Sequence, residues 1–248
     1  MKDVTVFSVI AGIIGTGVGG LIGLLFKNKD NVVTSYVLNF SAGIMLSVVF
    51  FELLPEALSI LDTKYGSLVV ILGIAIGMTT IFIVDFFIDK NKNHIQTPTS
   101  KNKLLYSGII MMIAIALHDL PEGIALGSSG ATDIKKALPL VVLLALHNIP
   151  EGMAISLPLA KGGIKSWLAC FLSFASGAVT VIGAVLGFVL GNISTVATSA
   201  CLSLASGAML YVTFVEILPQ AYYLSTERNS ILFVLFGILI GLLTVCAL

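Results

Sequence analysis

Long apolar runs separated by short polar breaks make up most of the 248-residue chain. Eight of these runs are close to the length of about 20 apolar residues that a membrane-spanning helix needs. A β-barrel would instead need alternating strands of about ten residues, and the sequence has no such alternation. A span in lipid must satisfy its own backbone N–H and C=O groups, so the pattern predicts an all-α integral membrane protein. The eight spans cover approximately residues 4–26, 32–55, 67–88, 104–127, 137–160, 164–190, 195–222 and 230–248.

The composition excludes a water-soluble globule. Only 10% of the residues are charged and 57% are hydrophobic, whereas soluble domains carry roughly 25% charged residues. The formal net charge is zero, so nothing favours nucleic acid as a partner, and membrane lipid is the expected surrounding. We interpret residues 1–248 as a single polytopic transmembrane domain with one sizeable polar loop, residues 89–103, between spans 3 and 4.

The distribution of Lys and Arg predicts the orientation of the chain. Cytoplasmic loops carry an excess of these residues. The loops after odd-numbered spans hold most of them, namely Lys27, Lys29, Lys90, Lys92, Lys101, Lys103, Lys161, Lys165 and Arg228. The opposite side holds Lys2, Lys64, Lys135 and Lys136. We therefore expect a cell-membrane protein with a cytosolic 89–103 loop and both termini extracytoplasmic.

Span 7 repeats part of span 2. Residues 40–57, FSAGIMLSVVFFELLPEA, match residues 204–221, LASGAMLYVTFVEILPQA, at an offset of 164 positions. Spans 2 and 7 run in opposite directions, so the repeat is inverted, as in many secondary transporters. The repeat predicts a 3+2+3 arrangement, with spans 1–3 related to spans 6–8 and span 4 related to span 5. Glu52 and Glu216 occupy equivalent positions and would lie at opposite mouths of one pathway, unless both merely face lipid headgroups.

Spans 4 and 5 each carry a histidine and a glutamate four residues apart. Box 1, residues 118–123, reads HDLPEG, and box 2, residues 147–152, reads HNIPEG. Residues i and i+4 share a helix face, so His118 and Glu122 point the same way, as do His147 and Glu151. A charged group at the bilayer centre costs about 2.5–3.5 kcal/mol on insertion scales. A divalent cation held by two imidazoles and two carboxylates would offset that cost, and such ligands suit Zn²⁺, Fe²⁺ and Mn²⁺.

Asp119 and Asn148 follow the two histidines and can add oxygen ligands that share Glu122 and Glu151. Pro121 and Pro150 deprive the carbonyls of Leu117 and Leu146 of their helical partners, which a hydrated ion site tolerates. The alternative interpretation of both boxes is a structural polar zipper between two helices.

Glycines recur every four residues in two spans. Gly15, Gly19 and Gly23 do so in span 1, and Gly73 and Gly77 in span 3. Small residues at this spacing let membrane helices approach closely, so we expect tight helix packing there.

The doubled box and the segments ending ELLPEA and EILPQA resemble the ZIP (Zrt/Irt-like) family of divalent metal transporters, in particular its bacterial zinc-uptake type. The resemblance covers essentially the whole chain. It implies a metal site between spans 4 and 5, uptake into the cytosol, and often a homodimer. Carried over by position, His118, Glu122, His147 and Glu151 resemble the primary ligands.

The same resemblance implies that Asp119 and Asn148 belong to a second, neighbouring site. Asp119 departs from the Asn that the family more often has. Thr180 stands where relatives commonly have an acidic ligand in span 6, so occupation of that second site is an open question. Asn39 matches a polar residue often found in span 2 and is a candidate pathway contact.

The expected function is secondary transport of Zn²⁺, and of other divalent cations such as Fe²⁺, Mn²⁺ or Cd²⁺, into the cytosol. The ion would enter past Glu52, stop between spans 4 and 5, and leave past Glu216. An intramembrane metalloenzyme and a metal-gated ion channel are the alternatives. Two equivalent half-sites argue against the enzyme, because catalysis usually needs one distinct base.

Overall fold

The computed structural model describes residues 1–61, 65–90, 100–132, 134–190 and 194–247, and every secondary-structure element in these ranges is helical. Within them, eight helices are long and apolar enough to cross a membrane, which confirms the eight predicted spans. Their bounds lie within a few residues of the predictions. We number the helices α1 Lys2–Leu25, α2 Asn31–Ile60, α3 Gly66–Lys90, α4 Ser100–Thr132, α5 Ile134–Lys161, α6 Ser166–Leu190, α7 Thr195–Leu224 and α8 Arg228–Ala247.

The predicted 89–103 loop is partly helical. Helix α3 continues to Lys90 and α4 already begins at Ser100, and residues 91–99 lie outside the described part of the chain. Apolar periodicity missed these turns because they extend beyond the hydrophobic windows into polar sequence.

Side-chain caps start α2 and α7 at equivalent positions. Asp30 precedes α2, and its Oδ1 accepts a hydrogen bond from the Val33 N–H at 2.9 Å. Ser194 precedes α7, and its Oγ accepts from the Ala197 N–H at 3.2 Å. Each cap satisfies one of the backbone donors that a helix leaves unpaired at its N-terminus. Asp30 and Ser194 are separated by the same 164 positions as Glu52 and Glu216.

Short π-helical segments interrupt α2 and α7 just before their prolines. They span Val49–Leu53 and Val212–Ile217, and the N–H groups of Leu54 and Leu218 bond to carbonyls five residues back. Pro55 and Pro219 have no N–H and would clash with the preceding turn of a regular α-helix, so a wider turn relieves the strain. These segments contain Glu52 and Glu216 and therefore set the direction in which both carboxylates point.

Helices α2 and α5 form the centre of the bundle, whereas α3 and α8 lie outside. In the apolar stretch of α5, 78% of the residues are buried inside the protein, whereas the corresponding share is 22% in α3 and in α8. Large apolar side chains such as Phe82, Phe86 and Leu239 are exposed on the outer helices. Such a surface is stable only in lipid, where an exposed apolar side chain has no cost. The boxes therefore lie on central helices, away from the lipid.

Close helix packing at the repeated glycines is confirmed. Gly19 of α1 has no room for a Cβ because the Ile149 carbonyl of α5 lies against it. Gly183 of α6 is closed in the same way by the Leu120 carbonyl of α4. The two glycines are 164 positions apart and the two carbonyls 29 positions apart. Paired contacts of this kind are what an inverted repeat would produce, although the repeat itself stays a prediction.

The end of α5 is fastened to the start of α2. The Lys161 ammonium donates to the Lys29 carbonyl at 2.8 Å and to the Thr34 hydroxyl at 2.6 Å. A lysine at a helix C-terminus also interacts favourably with the helix dipole. This contact fixes one end of the helix that carries box 2.

Candidate metal site

The antiparallel helices α4 and α5 bring the two boxes together in the interior. The side chains of six box residues are almost completely shielded, with exposures of 2% or less: His118, Asp119, Glu122, His147, Asn148 and Glu151. Six polar side chains at this depth are costly unless they bind one another or a cation. The structure thus buries all six residues that the sequence proposed as metal ligands and brings the histidines and carboxylates among them together.

The histidines pair with glutamates of the opposite helix. His118 Nε2 lies 3.1 Å from Glu151 Oε1, and His147 Nε2 lies 3.3 Å from Glu122 Oε2. The two pairs are reciprocal, because each joins one box to the other. The sequence had indicated only that each histidine shares a face with the glutamate of its own box. Packing of α4 against α5 turns those two faces toward each other.

Asp119 gives the site an asymmetric acidic side. His118, Asp119 and Glu151 each offer one ligand atom, and the three atoms lie within 4.8 Å of one another. Asp119 Oδ1 is 3.7 Å from His118 Nε2, and neither Asp119 oxygen has a hydrogen-bond partner among the described residues. A buried carboxylate without partners is strongly destabilising unless a positive charge is near. One imidazole and two carboxylates at this spacing form a suitable ligand set for a divalent cation.

Asn148 is held differently from Asp119, although both follow a histidine. Its Nδ2 donates to the Ala11 carbonyl of α1 at 2.8 Å. Its Oδ1 is buried and has no hydrogen-bond partner in the described ranges. The amide oxygen therefore remains available as a ligand, while the amide nitrogen is tied to a neighbouring helix.

Thr180 lies beside box 1. Its side chain is 1% exposed, and its carbonyl closes the space next to Gly123. No hydrogen-bond partner of the Thr180 hydroxyl is found in the part of the chain that the structure describes. The position is thus adjacent to the boxes, but it supplies a neutral oxygen instead of a carboxylate.

The two glutamates that the sequence predicts for the pathway have different surroundings. Glu52 is 9% exposed, and both of its carboxylate oxygens lack a hydrogen-bond partner within the described residues. It lies close enough to His147 and Glu122 for their charges to interact. Glu216 is only half-buried. The structure therefore places Glu52 toward box 2 and leaves Glu216 nearer the surface of the bundle.

Asn39 lies away from the boxes. It is 4% exposed, and its Nδ2 donates to Ser35 Oγ at 3.3 Å. It lines a cavity of about 320 Å³ that also includes Glu227 and Ser230 near the α7–α8 connection. Contact between Asn39 and a transported ion would therefore occur outside the central site.

Sequence reasoning missed the role of the α1 backbone. The acceptor for Asn148 is the carbonyl of Ala11, which lies in a π-helical segment, Val9–Ile14. A backbone carbonyl has no signature in the residue pattern, and the apolar run of span 1 is the same for an α-helix and for a π-helical turn.

Comparison with known proteins agrees with these features. The family described as ZIP zinc transporter matches residues 2–104 and 89–248. The chain belongs to this family. A zinc transporter ZupT of Streptococcus mutans is 36% identical over 247 residues, which cover 95% of this chain and 93% of that protein. The zinc transporters ZupT of Corynebacterium glutamicum and Clostridium perfringens are 32% and 30% identical and cover 92% and 95% of this chain and 91% and 90% of their own lengths.

Family membership decides between the transporter and the intramembrane metalloenzyme. ZIP proteins are zinc transporters rather than enzymes, so the intramembrane metalloenzyme is set aside. The chain is a multi-pass membrane protein with eight apolar helices.

Proposed function

We propose that this protein transports Zn²⁺ across the membrane through the site between α4 and α5. The reciprocal pairs His118–Glu151 and His147–Glu122, at 3.1 and 3.3 Å, carry the proposal. Three carboxylates and two imidazoles are buried there, and these are ligands that suit a divalent transition-metal cation. The zinc transporters among the relatives support zinc as the cargo.

The ligands we propose are His118, Glu122, His147 and Glu151, with Asp119 and Asn148 as additional oxygen donors. An ion entering between the boxes replaces the contact between each imidazole and its carboxylate with a bond to metal. Because the imidazole nitrogens and carboxylate oxygens are already in contact, little rearrangement is needed. Imidazole and carboxylate ligands also suit Fe²⁺ and Mn²⁺. We propose these two ions, and Cd²⁺, as further substrates.

The proposed route runs past Glu52, through the two boxes, and past Glu216 to the cytosol. Glu52 is buried near His147, which supports a closed mouth on the entry side. Glu216 is partly exposed, which supports a more open mouth on the cytosolic side. Exchange of these environments between the two halves of an inverted repeat would give alternating access. In the same scheme both termini are extracytoplasmic, and the protein forms a homodimer.

Uptake of radioactive zinc by purified protein in liposomes tests the site. We expect Glu122→Ala and His147→Ala each to abolish uptake, because each removes a ligand and leaves its former partner unpaired. Glu56→Gln changes an exposed carboxylate of α2 and should keep the wild-type rate. Wild-type uptake in both site variants would refute the proposed ligands.

The same liposomes separate a carrier from a metal-gated channel. A carrier should show an initial rate that saturates with zinc and accelerates when zinc is placed on the opposite side. A channel should show neither behaviour, since its flux does not require a conformational cycle for every ion.

A further inference from the structure

A backbone carbonyl of α1 is released inside the membrane beside box 2. In the π-helical segment Val9–Ile14, the Gly15 N–H is directed to the carbonyls of Ile10 and Gly12 and bypasses Ala11. A π-helical turn encloses one more residue than an α-helical turn, and such turns occur frequently at functional sites. A released carbonyl in an apolar interior needs another donor, because leaving it unpaired is costly.

Asn148 supplies that donor. Its Nδ2 lies 2.8 Å from the Ala11 carbonyl oxygen, and both residues have an exposure of 0%. The two polar atoms of a planar amide point in different directions, so fixing Nδ2 also fixes Oδ1. Since Oδ1 has no hydrogen-bond partner in the described chain, it is the atom that remains for a metal ion.

The backbone of α1 cannot easily move away from Asn148. Gly15 lies against the Ala145 carbonyl and the Asn148 Cβ, and Gly19 lies against the Ile149 carbonyl. Contacts this close between two backbones require glycine. The Ala11 carbonyl and the Asn148 amide are therefore held at a constant separation by the surrounding helix packing.

Asp119, which occupies the position in box 1 that Asn148 occupies in box 2, has a different side chain and a different neighbouring helix. Asp119 has no N–H to donate when ionised, and α6, which packs against α4, is α-helical throughout Ser166–Leu190. Its carbonyls are used within the helix, unlike the Ala11 carbonyl. The two boxes thus differ together with their neighbouring helices: the amide of box 2 meets a released carbonyl of α1, and box 1 has a carboxylate at the matching position on a helix that packs against a regular α-helix.

We infer that the π-helical segment of α1 is a positioning element of the metal site, in which the Ala11 carbonyl orients Asn148 so that Oδ1 binds the cation. The inference rests on the proposed function, because it takes the two boxes as the metal site. Metal ligands are commonly oriented by a hydrogen bond made through their other polar atom, and loss of that bond typically weakens metal affinity about 10–100-fold. Asn148 is then a ligand, and Ala11 acts only through it.

The substitution Asn148→Asp distinguishes positioning from simple ligation. If Asn148 were only an oxygen ligand, an added negative charge should strengthen zinc binding. If the Ala11 carbonyl positions it, aspartate loses the hydrogen bond and is repelled by the carbonyl oxygen. We expect the zinc dissociation constant, measured by calorimetry on the full-length protein in detergent, to rise about 10–100-fold.

Deletion of Ile14 tests the same contact without changing any ligand. Ile14 is 47% exposed, so its loss removes little internal packing. Removing one residue from the π-helical turn should restore a regular α-helix and return the Ala11 carbonyl to it. We expect a similar loss of about 10–100-fold in zinc affinity. Combined with Asn148→Asp, the deletion should cause no further loss, because both changes break one interaction.

The controls distinguish a failure of the proposed metal site from a failure of the positioning role alone. Asn31→Asp adds a carboxylate at the start of α2 and should leave the dissociation constant unchanged. His147→Ala should abolish binding, and wild-type affinity in that variant would overturn the proposed site itself. Loss of binding in His147→Ala but not in Asn148→Asp or the Ile14 deletion would overturn only the positioning role. Additive losses in the double variant would do the same. If Asn148→Asp does not fold, the deletion alone decides, since it keeps every ligand.

Discussion

Asp119→Asn should change the stability of the protein in opposite directions without and with zinc. In the metal-free protein the substitution removes a buried carboxylate that no hydrogen bond satisfies and that lies near a second carboxylate, so the protein should become more stable. In the presence of zinc it removes an ionised ligand, so the stabilisation by metal should decrease. A residue with a purely structural role would not produce both effects.

The geometry of the acidic side gives the size of the first effect. The ligand atoms of Asp119 and Glu151 lie within 4.8 Å of each other. Two unit charges at that separation repel by about 3.5 kcal/mol for an effective dielectric constant of about 20. His118, whose Nε2 is 3.7 Å from Asp119 Oδ1, offsets part of this repulsion. A buried carboxylate can also escape this repulsion by taking up a proton, so about 2 kcal/mol in the free energy of unfolding, or roughly 4–8 °C in melting temperature, is the upper limit of the increase expected for Asn.

The second effect follows from binding to the native state. Zinc at a concentration 100-fold above its dissociation constant should stabilise the wild-type protein by about 2.7 kcal/mol. If Asn at position 119 weakens zinc binding about 100-fold, the stabilisation at the same zinc concentration falls to about 0.4 kcal/mol. The melting temperature should then hardly respond to metal.

Circular dichroism of the helical signal during heating measures both effects on chelator-treated protein, with and without added zinc. Asp85→Asn is the matched control, since Asp85 of α3 already accepts a hydrogen bond from the Tyr211 hydroxyl at 2.9 Å. That control should not become more stable and should keep the wild-type response to zinc. A lower melting temperature of metal-free Asp119→Asn, together with an unchanged zinc response, would refute an unpaired ligand at this position.

Two further predictions concern the pathway and the helix packing. Glu52→Gln should lower the initial rate of zinc uptake by about tenfold or more, because it removes the charge of a buried carboxylate that interacts with His147, whereas Glu56→Gln should not. Equal rates for the two variants would exclude Glu52 from the pathway. Gly152→Ala should destabilise the protein by about 1–3 kcal/mol, since its Cβ would meet the Thr16 carbonyl oxygen. An unchanged melting temperature would contradict the close approach of α1 to α5.

Residue pattern and composition were enough to establish the class of protein and to indicate which residues form the candidate site. Lipid imposes helices of a fixed minimum length, so apolar runs alone gave eight spans whose bounds lie close to those observed. The same environment makes buried charge rare, so two copies of a His-x-x-x-Glu pair stood out as a candidate metal site. The glycine spacing likewise predicted close helix contacts at Gly15, Gly19 and Gly23. These conclusions depend only on neighbours along the chain and on the surrounding solvent.

The pairing of the site residues could be read only from the packing of the helices. Helical periodicity puts His118 and Glu122 on one face, but the partner of His118 is Glu151, because α5 turns its own face toward α4. Asp119 and Asn148 are equivalent in sequence, yet one belongs to an acidic cluster and the other is bound to the Ala11 carbonyl. Glu52 and Glu216 are equivalent as well, yet one is buried and the other half-buried. These differences arise from contacts between helices that are distant in sequence, and from a π-helical turn that leaves no trace in an apolar run.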